Sequence, residues 1–335
     1  MNRIAYLLTL LGVSAFAVNH PEAAIAITFG SGGNQFDIDF VTIGNAGNAP
    51  DTTGNPNPAG SVPYEFQIGK YEVSREMITK ANAAGGLGIT LNAMAIVDGG
   101  ARPGMPAAGV SWFESAKFVN WLNTSSGYSP AYKFDASGIF QLWNAADPGF
   151  NPANLFRNSL ARYVLPSTNE WYKAAYFDPT RNQYFDYPTG SNAAPQCVAR
   201  GTASGTAVCG QFLTTGPADI MQAGGLSPNG TIAQGGNIEE WEESEFDLVN
   251  NIPMGLRGSR GVDWVPPALF LTSSIRGGVS PAQEAIFNGF RVASVPEPYP
   301  SLLIFPIVLA ILSIRKSSID LGIVVVARTA SNDPF

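Results

Sequence analysis

Two short apolar segments, one near each end, set the limits within which this chain can fold. Arg3 precedes an almost unbroken apolar run from Ile4 to Val18, and Ala24-Ile25-Ala26 fits the small-x-small rule for signal cleavage. We therefore predict a signal peptide over residues 1–26, with Ala15-Phe16-Ala17 as an alternative cleavage site. The other interpretation of this segment is an uncleaved N-terminal anchor.

The second apolar segment runs from Leu302 to Ile314, after Val295-Pro296-Glu297-Pro298 and before Arg315-Lys316. At about 1.5 Å per residue, a helix of this length covers about 20 Å of a hydrocarbon core that is about 30 Å thick. Such a segment suits transient contact with a membrane, with the basic pair on the cytoplasmic side. The alternative is a buried C-terminal strand and helix. The predicted organisation is a signal peptide (1–26), a folded domain (27–294), a transient membrane segment (295–316) and a tail (317–335).

Charge and histidine content exclude several functions for the folded domain. The chain has a formal net charge of −7, and we find no cluster of lysine and arginine between the two end segments. Nucleic acid is therefore excluded as a partner, because phosphate binding needs clustered cations. The only histidine is His20, inside the predicted signal peptide, so histidine-based catalysis and histidine-ligated metals are excluded as well.

The chain contains two cysteines, Cys197 and Cys209, in a stretch rich in glycine, threonine and alanine. In the oxidising compartment that a signal peptide implies, we predict that they form a disulfide. Closing so short a loop would stabilise the fold by about 2–3 kcal/mol. The alternatives are two free thiols or a redox function.

Periodicity predicts few helices, short strands and long loops, which together indicate an α+β domain. Each predicted helix begins at a serine cap, and in two cases Ser-x-x-Glu forms a capping box. The predicted helices follow Ser74 to about Ala83, Ser111 to about Asn123, and Ser167 to about Tyr176. The predicted strands are Phe36–Ile43, Tyr64–Val73, 269–276 and 287–293, with mostly loop from Arg181 to Arg260.

Six motifs then occur in a fixed order, and together they resemble the formylglycine-generating enzyme (sulfatase-modifying factor) family over about residues 60–294. The resemblance implies a single α+β domain with C-type-lectin-like topology and much irregular structure. The six motifs are Gln67–Ser74, Val110–Glu114 with Asn120–Leu122, Arg162–Trp171, Gly235–Trp241, Arg260–Trp264 and Asn288–Ala293.

The resemblance does not extend to the metals of this family. The enzymes hold copper with two cysteines near the C-terminal end of the domain, in the interval that corresponds to residues 261–288, where this chain has no cysteine. A related branch holds iron with histidines, which the folded domain lacks. We therefore expect neither copper nor iron, and we assign no catalytic or cofactor-binding residue.

The family also carries structural calcium sites, and one of them corresponds to Gly236, Ile238 and Glu240. The first two would offer carbonyl oxygens and the third its carboxylate, which suits a hard cation. The chain departs from the family pattern with Ala233 in place of a side-chain ligand and Glu239 in place of a tryptophan. The alternative is a solvated acidic turn formed by Glu239, Glu240, Glu242 and Glu243.

Residues 295–316 resemble the PEP-CTERM sorting signal of bacterial surface and matrix proteins. This resemblance implies that an exosortase recognises and cleaves the segment after transient anchoring in the inner membrane, and that the protein reaches the cell surface or extracellular matrix. It also implies a link with exopolysaccharide. The 19 residues from Ser317 to Phe335 depart from the family, whose chains stop soon after the basic cluster.

We therefore predict an exported, non-catalytic surface or matrix protein that binds glycan or another protein. Trp143 and a cluster of aromatic residues are the better candidates for an exposed stacking surface, although burial in the core is favoured for them as well, and the other five tryptophans are expected in the core. One alternative is an enzyme with altered chemistry that uses Asp263, Glu240 or Arg276, and another is an oxidase that uses Cys197 and Cys209. The members of the aromatic cluster are Tyr172, Tyr176, Tyr184, Phe185 and Tyr187.

Overall fold

The computed structural model describes residues 24–296, which form a mixed α+β domain with much irregular backbone. In this part of the chain there are three α-helices and fifteen strands, and only three strands are longer than four residues. The predicted α+β class is confirmed. The elements are α1 (Arg75–Gly85), α2 (Trp112–Ser125), α3 (Thr168–Tyr176), β1 (Ile25–Phe29), β2 (Phe36–Ile43), β3 (Phe66–Gly69), β4 (Lys133–Phe134), β5 (Phe140–Gln141), β6 (Tyr163–Val164), β7 (Phe177–Asp178), β8 (Gln183–Tyr184), β9 (Gln196–Val198), β10 (Thr206–Val208), β11 (Glu239–Glu245), β12 (Arg257–Arg260), β13 (Gly277–Val279), β14 (Asn288–Gly289) and β15 (Ala293–Ser294).

The larger sheet has the order β1-β2-β3-β15-β6, and all of its neighbouring strands are antiparallel. The last strand of the domain thus lies between β3 and β6, which joins the two ends of the described chain in one sheet. In β2, the buried residues alternate through Phe40 and then change phase at Val41, where the apolar residues of the sequence change phase as well. Residues of this sheet and of α2 form the main apolar core.

All three helices begin where their caps predict. Ser111 Oγ accepts the N–H of Glu114, whose carboxylate accepts the N–H of Ser111 in return, at 3.2 and 2.9 Å. Ser167 and Glu170 repeat this capping box at the start of α3. Such a cap contributes about 1 kcal/mol. Helix α1 extends two residues beyond the predicted Ala83, to Gly85. Its C-cap is Gly86, whose φ of 62° lies in the left-handed region that glycine adopts without strain.

The smaller sheet has the order β13-β12-β11-β14, with β11 antiparallel to β12 and parallel to β14. The sequence predicted mostly loop here, because β11 lacks the alternation of a half-buried strand. The predicted strand over residues 269–276 is wrong: Ala268–Leu271 is a short 3-10 helix, and the N–H groups of Phe270 and Ile275 bond to carbonyls three residues earlier instead of to a strand.

The predicted signal peptide and membrane segment lie almost wholly outside the described residues. Strand β1 nevertheless begins at Ile25, which pairs with Phe40, so cleavage after Ala26 would remove two exposed residues of this strand. The alternative site after Ala17 would leave β1 complete. Within residues 24–296, no helix is long and apolar enough to cross a membrane.

Candidate functional site

Strand β11 places a run of glutamates inside the domain. Its sequence is Glu-Glu-Trp-Glu-Glu-Ser-Glu, and Glu240, Glu242 and Glu243 are each 0% exposed. The alternative of a solvated acidic turn is therefore wrong, since this segment is an inner strand of its sheet. Buried carboxylates need compensating partners, and each of these has one.

Glu240 pairs with Arg291, the arginine of the final Gly-Phe-Arg motif. The Arg291 side chain donates to both carboxylate oxygens, with Nε at 2.6 Å from Oε2, and Trp171 donates its indole N–H to Oε2 at 2.7 Å. Arg291 also donates to the carbonyls of Gly69 and Ile232, each at 2.9 Å. This bidentate pair thus joins β11 to the distant segments that contain Gly69, Trp171 and Arg291.

Glu72 lies beside this pair and is itself buried. Its Oε2 accepts an N–H of Asn237 at 2.7 Å, whereas its Oε1 has no partner among the described residues. Burial, together with the nearby Glu240 carboxylate, raises the pKa of Glu72 well above its ordinary value despite the opposing Arg291 charge. Burial and the neighbouring carboxylate therefore both favour the protonated form of Glu72.

The three predicted calcium ligands are close in sequence, and two of them, Gly236 and Glu240, already have protein partners. The Gly236 carbonyl accepts the Ile238 N–H at 2.8 Å, and the charge of Glu240 is matched by Arg291. A cation at Glu240 would thus meet a guanidinium at the same carboxylate, which is a poor fit for calcium. Within residues 24–296, no group of three or more acidic, cysteine or histidine side chains is arranged to hold a metal. Calcium binding stays a prediction.

Glu242 is shared by two arginines. Arg260 Nε donates to its Oε1 at 2.6 Å, Arg276 Nε donates to its Oε2 at 2.9 Å, and Thr168 donates its hydroxyl to Oε2 at 2.6 Å. Burial opposes the charge of Glu242, but these partners outweigh it and lower the pKa. Arg276 also donates to the carbonyl of Phe246 at 2.6 Å, which fixes the end of β11.

Arg157 compensates two buried carboxylates. Its Nη1 and Nη2 donate to Glu170 at 2.9 and 2.8 Å, and its Nε donates to Glu243 at 2.7 Å. Burial acts against the charge of Glu170, yet Arg157, the Ser167 N–H and the Tyr64 hydroxyl lower its pKa to about 2. Burial, together with the nearby Glu170 charge, raises the pKa of Glu243. The same guanidinium therefore outweighs burial at Glu170 but does not offset it at Glu243.

Glu245 and Arg257, the two charged residues that flank the connection between β11 and β12, hold that loop in place. Glu245 Oε1 accepts the N–H groups of Asn251 and Ile252 at 2.7 and 2.6 Å. Arg257 donates to the carbonyls of Gly255 and Pro253 at 2.6 and 2.9 Å. The loop backbone is thus hydrogen-bonded on its inner side to one buried carboxylate and one buried guanidinium.

Arg257 is in turn held by aromatic rings. Its guanidinium lies 4.5 Å from the ring centroid of Trp112 and 4.2 Å from that of Phe156. Burial lowers the pKa of Arg257 to about 10, so it remains charged at neutral pH. These contacts anchor the loop to the main core.

The loop itself presents apolar side chains to solvent. We call residues 246–256 the apolar loop: six of its eleven residues are large, apolar and between 43% and 61% exposed. The loop contains no lysine or arginine. Exposed apolar side chains are normally scattered singly over a protein surface, so their concentration in one loop is unusual. The six residues are Phe246, Leu248, Val249, Ile252, Met254 and Leu256.

The remaining predicted site residues lie elsewhere. Cys197, in β9, and Cys209, after β10, form a disulfide with a Cα–Cα distance of 4.9 Å. The carboxylate of Asp263 accepts the N–H of Val265 at 2.7 Å, and burial raises its pKa. The three residues of the alternative enzyme hypothesis are not brought together, because Glu240 pairs with Arg291 and Arg276 pairs with Glu242.

The predicted aromatic stacking surface is wrong for Tyr172 and Tyr176, which are buried. Tyr172 donates its hydroxyl to Asp51 at 2.5 Å, and Tyr184 donates to the carbonyl of Gly60 at 2.7 Å. Residues 44–63, between β2 and β3, therefore pack over this cluster, and no local pattern in the sequence indicates that contact. Trp143 is half-buried and donates its N–H to a backbone carbonyl.

Sequence reasoning missed the arginines that compensate β11, as well as the apolar loop. The arginines carry no local signal, since each lies in a different segment from its glutamate. The loop did carry one: apolar residues occur there without alternation, among Asn, Pro and Gly. That composition is unusual for a solvated hairpin connection.

Comparisons with known proteins identify the fold. Residues 30–295 match the family model described as the sulfatase-modifying factor enzyme 1-like domain. Among solved structures, variable protein 1 of Treponema denticola is similar, with a TM-score of 0.54 and 18% identity over 81% of this chain and 99% of that chain. CarF is similar with a TM-score of 0.55 and 17% identity over 77% and 98% of the two chains. Such identities show the fold alone, and they confirm the predicted fold class. No curated protein matches the chain.

Proposed function

The chain belongs to the sulfatase-modifying factor enzyme 1-like domain family, and from this premise we propose that it is an exported, non-catalytic domain that recognises another protein through the apolar loop. The observation that carries the proposal is the contrast within one hairpin. The loop exposes six large apolar side chains, while Glu245 and Arg257 fix its backbone from inside.

A fixed apolar loop is well suited to binding. Ordering a flexible loop at an interface costs free energy, and a loop that is already ordered avoids that cost. Exposing Leu248, Ile252 and Met254 to water gives no benefit to folding. A partner that covers them would gain about 25 cal/mol for each Å² of apolar surface removed from water.

The chemistry of the loop favours a protein over other partners. Its exposed side chains are mainly aliphatic, and the face of its one aromatic ring, Phe246, is covered by Arg276 at 5.1 Å. Sugar rings prefer open aromatic faces with polar groups around them. The loop has no basic residue and the chain has a net charge of −7, so an anionic membrane surface would repel it.

The charged groups of the domain support a non-catalytic role. Glu240, Glu242 and Glu243 are buried and paired with arginines, and the interval 261–288 contains no cysteine. We further propose that residues 1–26 direct export and that an exosortase acts on residues 295–316. The protein would then reside at the cell surface or in the extracellular matrix.

Site-specific cross-linking tests the role of the apolar loop. A photo-reactive amino acid at Met254 would be cross-linked on intact producing cells, with the same group at Leu226, which is 50% exposed outside the loop, as the matched control. A protein captured only from position 254 would then be purified, and its affinity for the full chain would be measured by calorimetry.

We expect Ile252→Ser with Met254→Ser to weaken that affinity at least about tenfold, because each buried apolar side chain contributes more than about 1.4 kcal/mol. Leu226→Ser should leave it unchanged. Equal capture from both positions, or a loop variant that binds as tightly as the wild type, would overturn the proposal.

A further inference from the structure

We propose that a groove beside Trp121 binds the pyranose ring of an acidic sugar, a ligand distinct from the protein partner of the apolar loop. This groove has a volume of about 320 Å³ and is formed by the end of α1, the outer side of α2 and the β4–β5 hairpin. We call it the indole groove, after the residue that decides its chemistry. The residues that matter for its chemistry are Gly85, Lys117, Asn120, Trp121 and Phe134.

Trp121 was expected in the core but is only partly buried, and it differs from the other five tryptophans in what its indole N–H does. It has no acceptor among residues 24–296, and it is not fully buried. It is therefore free to donate to a ligand. The other five donate to Glu242 O (Trp112), Ala131 O (Trp143), Glu240 Oε2 (Trp171), Val110 O (Trp241) and Leu213 O (Trp264).

The groove is held in one shape. The indole of Trp121 stacks on the buried Phe36 with 5.9 Å between ring centroids. The side-chain amide of Asn120 bonds to both the N–H and the carbonyl of Tyr132, at 2.9 and 2.7 Å, which fixes β4 against α2. A Cβ at Gly85 would lie 2.6 Å from the Trp121 indole nitrogen, so only glycine leaves the N–H edge clear.

Lys117 supplies an uncompensated positive charge. Its ammonium lies 5.9 Å from the ring centroid of Phe134, and no carboxylate of the described residues forms a salt bridge with it. A second lysine–tryptophan pair, Lys133 with Trp143, offers the contrast. There Asp147 binds the lysine at 2.6 Å and a backbone carbonyl accepts the indole N–H.

These groups define the ligand. The groove offers the ring and N–H of one indole, together with an ammonium that lies over the ring of Phe134, so a complementary ligand has an apolar ring face, a hydrogen-bond acceptor and a negative charge. A pyranose that carries a carboxylate has all three. Nucleic acid also has rings and charge, but its successive phosphates need clustered cations, and Lys117 is the one cation among the described residues that line this groove.

The six indole N–H signals of the full, nitrogen-15-labelled chain provide the test. Trp121→Phe identifies the signal of Trp121 and keeps a ring over Phe36. The probes are tetragalacturonate, the neutral maltotetraose and a proline-rich decapeptide, since an aromatic groove with a free N–H also resembles the sites that bind such peptides. Trp143→Phe with Lys133→Gln is the matched control.

We expect tetragalacturonate to shift the Trp121 signal and no other indole signal. Trp121→Phe and Lys117→Gln should each weaken binding about tenfold, the control pair should not, and maltotetraose should bind less tightly. The proposal is overturned if tetragalacturonate leaves the Trp121 signal in place, if the control pair weakens binding equally, or if only the peptide shifts that signal.

Discussion

Strand β11 and the apolar loop that follows it reverse the usual distribution of residues. The strand buries four glutamates, whereas the loop exposes six large apolar side chains, and the two are adjacent in sequence. Each buried charge has a hydrogen-bonding partner inside the domain, whereas the six apolar side chains of the loop stay between 43% and 61% exposed to solvent. The comparison teaches that the charges of this hairpin hold the fold, while its apolar residues are available for binding.

The buried pairs act over long distances in the chain. Glu243 bonds to Arg157, Glu242 to Arg260, and Glu240 to Arg291, so the strand reaches residues far before and far after it. A domain with few helices and short strands has little other regular structure to fix its loops. We therefore interpret these pairs as devices that select one arrangement of the loops, a role that buried polar groups have in some folds.

The largest effect should come from removing the arginine that serves two carboxylates. Arg157→Met leaves Glu170 and Glu243 buried without compensation, and we expect it to lower the free energy of unfolding by about 3–5 kcal/mol. Urea denaturation measures this directly. Arg181→Met is the control, because Arg181 is 63% exposed in its pair with Asp178 and such pairs contribute less than about 1 kcal/mol. Equal losses would show that the buried network is no more important than a surface pair.

A smaller effect is expected where the strand meets the loop. Glu245→Ala removes the acceptor for the N–H groups of Asn251 and Ile252, and should lower the free energy of unfolding by about 1–3 kcal/mol. Hydrogen exchange of these two amides should become faster, because the loop loses its internal support. Glu245→Gln keeps an acceptor and should preserve most of their protection. Unchanged exchange in the alanine variant would mean that the loop does not depend on Glu245.

The sequence predicted what local patterns determine. The caps at Ser74, Ser111 and Ser167 placed all three helices, because a cap acts within four residues of its own position. The change of phase in β2 was likewise visible from residue order.

Long-range compensation was not predictable. Glu243 and Arg157 are separated by 86 positions, and nothing near either residue indicates the other. The acidic segment therefore resembled a solvated turn, although it is an inner strand. The burial of Tyr172 depends in the same way on Asp51, which lies 121 positions away.

The pH dependence of stability tests the raised pKa of Glu72, beside β11. Because the pKa of Glu72 is raised in the folded state, the folded chain keeps a proton that the unfolded chain loses above its ordinary pKa of 4.5. Stability should therefore fall as pH rises above 4.5 towards the raised pKa. Glu72→Gln removes this titration and can still accept from Asn237. Its stability relative to the wild type should increase steadily with pH, as measured by urea denaturation from pH 4.5 to 8. A difference that does not vary with pH would mean that Glu72 is ionised in the fold beside Glu240.

Substitutions in the apolar loop should have the smallest effect on stability. That result would distinguish the loop most clearly from β11, whose charged residues hold the fold. Leu248 and Met254 are 47% and 61% exposed, so Leu248→Ser with Met254→Ser should change the free energy of unfolding by no more than about 0.5 kcal/mol. Fluorescence of a dye that binds apolar surfaces should fall, because the exposed patch is reduced. Leu122→Ser, in the fully buried part of α2, is the control and should destabilise the fold strongly. If the loop variant instead loses as much stability as Leu122→Ser, these side chains belong to the core, and the loop is a structural element like the strand before it.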